Sequence, residues 1–263
     1  MSRLGIGFLT SFWLALVVVI STTTAPAQDT RPRPLLIDGK PINPLCLLPI
    51  SDETGQSTRI SLNNCGSDII VRDYASRGPE WIGFSYTDKN EPIAERTAEY
   101  NYRYVGQIGE KAILFSNYSG GGSGHFTSLV ALKRRDATNF EFSEIAGGDR
   151  CNGAISNITI QDNRLYFDQV LTPWMLMQLG LVPENPAFDG LASSATSCVA
   201  TAHMRGSRMV SVTLDGGVDN DTDNPRACFD KTIQQFVAKN DMELDIRKLR
   251  RLRSQFRACL ARG

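Results

Sequence analysis

From about residue 45 to residue 215, apolar and polar side chains alternate in short runs, each stopped by Gly, Asn, Asp or Pro. The runs are STRISLNNC, SDIIVRDY, EWIGFSYTD, EYNYRYVGQIG, KAILFSNYS, HFTSLVALKRR, FEFSEIAGG, AISNITIQ and RLYFDQVL. A period of two sends successive side chains to opposite faces, so these runs predict half-buried strands. In the fourth run Tyr100, Tyr102 and Tyr104 fall on one face, and Asn101 and Arg103 on the other. The linkers Gln107-Ile108-Gly109-Glu110 and Gln161-Asp162-Asn163-Arg164 are of hairpin length. A further hairpin, CVATAHMRGSRMVSVTL, is expected to turn at Arg205-Gly206. That turn sets His203 opposite Arg208, on the face of Val199, Val210 and Val212. The series predicts an antiparallel β meander forming a sandwich or barrel-like core.

The period lengthens to that of a helix in three places. In LTPWMLMQLG, Thr172 is a predicted N-cap, Pro173 suits the first helical position and Gly180 suits a left-handed stop. This helix is apolar nearly all round, so it is expected to be buried, with Trp174, Met175 and Met177 as packing residues. Near the C-terminus Asn224 caps and Pro225 starts a second helix, whose Phe229, Ile233, Phe236 and Val237 recur at i, i+4, i+7 and i+8. A third helix carries Ile246, Leu249, Leu252, Phe256 and Leu260, and the break at Asn240-Asp241 folds the last two into a helical hairpin. If Asp245 caps the third helix, Cys228 and Cys259 lie roughly 16 and 20 Å back from the connection, nearly level with each other. A start at Met242 separates them by a turn or more, so the pairing and the helix start predict each other.

The N-terminus adds a compartment. Arg3 precedes an apolar run from Leu4 to Ile20, and Ala25-Pro26-Ala27 offers small residues where a signal peptidase cuts. Residues 1–27 are therefore expected to be a signal peptide, with an uncleaved signal anchor as the alternative. Removing 27 of 263 residues leaves 236, enough for a substantial core. The expected organisation is an extended lead-in at 28–44, a β-rich domain at 45–218, and an acidic loop with the helical hairpin at 219–263. No later segment reaches membrane-spanning length. Lys and Arg total 28 against 28 Asp and Glu, which disfavours a nucleic-acid binder. Six cysteines in an exported chain predict three disulfides, here the sequential set Cys46–Cys65, Cys151–Cys198 and Cys228–Cys259.

Candidate chemistry is sparse. NYSGGGSGHF, residues 117–126, lacks the lysine of a phosphate loop and the second glycine of a nucleophile elbow, so it is expected to be a hairpin connection. His203, at the end of a strand face, is expected to be structural. In DGGVDNDTDNPRACFD, Asp219, Asp221, Asp223 and Asp230 stand at positions 1, 3, 5 and 12 of a calcium loop. Over those 12 residues the segment resembles the D-x-D-x-D-G loops of EF-hand and dockerin-type calcium sites, which implies calcium as a ligand. It departs from them at Asn224, Arg226 and the short Asp230, and the alternative is a solvated acidic loop. The last helix bears Arg250, Arg253 and Arg257 opposite its leucine stripe, an expected interaction surface for an anionic envelope component or an acidic protein, or else a solvated face. Asn117, Asn157 and Asn220 head N-glycosylation sequons.

These readings predict a periplasmic or secreted, disulfide-stabilised, non-catalytic binding or inhibitory module whose partner is a protein or envelope polymer. The alternative is an extracellular, glycosidase-like hydrolase whose carboxylates are scattered through the sequence. Two carboxylates facing across a deep cleft would favour the enzyme.

Overall fold

A computed structural model describes residues 36–37, 40–44, 46–47, 58–61, 72–73, 80–87, 97–216 and 225–262. All of them belong to one unit, Arg31–Gly263; the predicted signal peptide lies outside the described residues. The elements are β1 (Leu36–Ile37), β2 (Lys40–Pro41), β3 (Thr58–Ser61), β4 (Arg72–Asp73), β5 (Trp81–Thr87), β6 (Thr97–Ile108), β7 (Lys111–Ser119), β8 (Phe126–Arg134) and β9 (Asn139–Asp149). There follow β10 (Ile155–Gln161), β11 (Arg164–Leu171), α1 (Pro173–Gln178), β12 (Ala200–Arg205), β13 (Arg208–Leu214), α2 (Arg226–Val237), β14 (Glu243–Leu244) and α3 (Ile246–Leu260).

The protein is mainly β, as its patterning predicts. One antiparallel sheet has the order β3-β9-β8-β7-β6-β5-β4, and a second runs β10-β11-β12-β13-β14 in chain order. β10 packs across β6, β8 and β9, so the second sheet covers the first. The large sheet is buried on both faces. On β7 and β8, Ile113, Leu129 and Ala131 face the second sheet, while Leu114, Val130 and Leu132 join Ile42, Tyr102, Phe140 and Phe142 behind it. That two-sided burial explains why KAILF and SLVAL read as unbroken apolar runs. At the end of the expected lead-in, Ile42 is 1 % exposed and its carbonyl accepts from the Tyr102 hydroxyl at 2.7 Å.

The core between the two sheets, here the first core, also takes in the helices. Thr172 Oγ1 accepts from Met175 N at 3.2 Å, and Gly180 adopts φ +72°, so α1 starts and stops where predicted. Leu176 and Met177 are wholly buried. Asp245 accepts from the backbone N–H groups of Arg247 and Lys248, each at 2.8 Å, and α3 begins at Ile246. Cys228 and Cys259 are then disulfide-bonded with Cα atoms 5.6 Å apart. Cys151–Cys198 is bonded as well. Cys46 is disulfide-bonded, and its expected mate Cys65 lies outside the described residues. α2 starts at Arg226 after Pro225, with no side-chain cap; Asn224 lies outside the described residues.

Two features were not anticipated. Glu243–Leu244, between the two C-terminal helices, forms β14 and pairs with Val212 and Thr213. The β12–β13 hairpin pairs Arg205 with Arg208, so its loop is Gly206-Ser207, and a bulge then sets His203 opposite Ser211. His203 is therefore not opposite Arg208. It also lies on the other face from Val212, which is wholly buried beside Ala202.

Candidate functional site

Three hairpin tips meet at one end of the space between the sheets. Each is a two-residue turn held by left-handed backbone: Gly109 at φ +58°, Asp162 and Asn163 at +49° and +58°, and Gly206 at +57°. Glycine and asparagine tolerate that region, so these residues set the turns locally. The tips are tied together, since Asn163 Oδ1 accepts from Gly109 N at 3.2 Å and Leu165 O accepts from Gly206 N at 2.8 Å.

Beneath the tips lies an open cleft of about 430 Å³. Its floor is apolar, made by Ile108, Ile113, Ala131, Ile145 and Leu165. Its rim carries Lys111, Arg164 and Arg205, one from each hairpin, with Ser143 and Asn163 as neutral polar groups. Among the described residues, no acidic side chain lines it. The volume falls within the range of small-molecule sites, which are mostly apolar with a few polar groups at defined positions.

The outward face of the second sheet carries a different constellation. Asn157 Nδ2 donates to Asp168 Oδ2 at 2.7 Å, and the other carboxylate oxygen meets His203 Nδ1 at 2.7 Å. His203 Nε2 lies 2.9 Å from Thr213 Oγ1, which donates to Glu243 Oε2 at 2.8 Å. The row thus crosses all five strands, β10 to β14. Hydrogen bonds from Ser211 and Thr213 hold the Glu243 carboxyl below its ordinary range. Hydroxyl, imidazole and carboxylate stand in the order of a nucleophile triad. The Thr213 hydroxyl, however, donates its proton to Glu243 and so does not offer it to His203, as the nucleophile of a triad must. The row is a cross-strand clamp on a sheet face. The patterning hid it, because the bulge that brings Ser211 and Thr213 to the face of His203 has no signature in the alternation.

The residues singled out from the sequence are dispersed. Residues 120–125 join β7 to β8, as expected of NYSGGGSGHF; Ser123 and His125 are exposed, and His125 N donates to Asp149 Oδ1 at 2.8 Å. Asp219, Asp221 and Asp223 lie outside the described residues, while Asp230 sits within α2. Arg250 and Arg257 are exposed, but Arg253 is 6 % exposed and is not part of that surface. Its guanidinium donates to Met177 O at 2.8 Å and to Leu179 O at 2.5 Å, and burial lowers it to about 10. Of the sequons, Asn117 is buried, Asn157 is exposed and Asn220 lies outside the described residues. The cleft itself was missed because five strands build its floor; the one local signal was the cluster of basic residues beside left-handed turns.

Comparison with known protein families, curated protein sequences and solved structures found no match for this chain.

Proposed function

We propose that this chain is an exported, non-catalytic binding module that takes an apolar small ligand between its two sheets. The observation that carries this is the open, apolar-floored cleft of about 430 Å³ beneath the hairpin tips. Such a floor gains by removal from water, at about 25 cal/mol per Å² of apolar surface covered. Export is supported by the disulfides, which persist in oxidising compartments. No described helix is long and apolar enough to cross a membrane. The hydrolase reading has less support: among the described residues, the carboxylates of Asp168 and Glu243 are bridged by His203 and Thr213 on a sheet face, not set across a cleft.

The test uses N-phenyl-1-naphthylamine, a neutral apolar dye that brightens when shielded from water. Saturable one-site brightening is expected, and Ser143→Phe, which fills the cleft from its side, should abolish it while the melting temperature holds. Brightening that is absent, or that survives in a well-folded Ser143→Phe variant, overturns the reading.

A further inference from the structure

We infer that the cleft selects an anionic amphiphile: one apolar chain or ring system ending in a carboxylate, sulfate or phosphate. The inference rests on the cleft being a binding site, and it adds the charge of the ligand. Lys111, Arg164 and Arg205 project from three separate hairpins around one mouth. Among the described residues, none of the three makes an ion pair. Nearby acidic groups do not neutralise them. Glu110, next to Lys111, is engaged by Lys133 at 2.5 Å, and Asp162, in the tip beside Arg164, does not line the cleft.

Three unpaired cations around an apolar floor discriminate by charge. An anionic headgroup at the mouth gains from all three while its tail covers the floor. A neutral headgroup gains only the floor, and a cationic one is repelled. Two of the three are arginines, whose planar forks match the oxygens of carboxylates and phosphates in pairs. The floor distinguishes this site from a bare basic patch, because inorganic anions gain nothing from Ile108, Ile113 or Leu165. The recessed floor also favours a single ligand molecule over a membrane surface, since a tail must leave its bilayer to reach it.

The experiment displaces the bound dye with decanoate, decanol and decyltrimethylammonium, which share a chain and differ in charge. Decanoate should compete best, decanol less well and the cation least, with about a tenfold gap between the first two. Added salt should narrow that gap and leave decanol unaffected. The triple variant Lys111→Gln, Arg164→Gln, Arg205→Gln should bring decanoate to the level of decanol, and Arg164→Gln alone should cover part of that distance. Equal competition by all three ligands overturns the charge inference while the binding site stands. A dye that never binds removes the site itself. Flotation with anionic phosphatidylglycerol vesicles, lost in the triple variant and unopposed by decanoate, would assign the cations to membrane docking and overturn the inference.

Discussion

Glu144 sits half-buried on the large sheet, where Ser128 Oγ donates to its Oε1 at 2.9 Å and its Oε2 is buried without a partner. Loss of water around the charge raises its carboxyl above the ordinary value of 4.5. A raised folded value means the fold favours the protonated acid: that stabilisation is complete below 4.5 and is lost as pH rises through the folded value. Glu144→Gln imitates the protonated acid at every pH. Melting curves of the two proteins should therefore coincide in acid and separate above it, with the variant higher by about 1–2 °C. A constant offset at all pH values would contradict the account. Asn117 shows the same principle in a neutral group: it is 6 % exposed and its Nδ2 has no partner. In the folded protein that sequon is closed to a glycan.

At the scale of elements, Arg253 joins α3 to α1. Its guanidinium caps the carbonyls of Met177 and Leu179, groups that a helix end otherwise leaves open. Arg253→Leu keeps the apolar stem but strands those carbonyls, at an expected loss of about 2–3 kcal/mol in urea unfolding. No change would show that water already satisfies them. The position was legible in principle, because 253 falls on the same helical stripe as Leu249 and Phe256; its charge argued for the opposite face. The long strands were easier to read: β6 to β11 carry either strict alternation or two-sided apolar runs between turn residues. β14 was not legible, since two residues cannot display a period. The bulge in β12–β13 was not legible either, and it set Ser211 and Thr213, in place of Val212, on the face of His203.

For residues 31–263 as a body, the Cys228–Cys259 bridge closes a segment of separation 31 around the helix pair. Restricting a loop of that length in the unfolded chain is worth about 3–4 kcal/mol. The double variant Cys228→Ser, Cys259→Ser should lose about that much stability and keep its sheet content by circular dichroism. A loss of sheet signal at moderate temperature would mean that the helices and sheets form only together. The helix pair and its bridge followed from spacing alone, because cap and cysteine positions constrain one another along a single axis. The cleft could not follow that way, since its walls meet only after distant hairpins dock.

β14 lies between the two C-terminal helices yet supplies the last strand of the second sheet. During synthesis, β13 has no neighbour on that side until residues 243–244 have emerged, and the first core lacks Leu249, Leu252 and Phe256 until α3 follows. That half of the molecule is thus complete only with its tail, whereas the core behind the large sheet draws on no described residue beyond Phe142. A chain cut short before residue 243 would leave β13 as an open edge and would lack three wholly buried side chains, Leu249, Leu252 and Phe256.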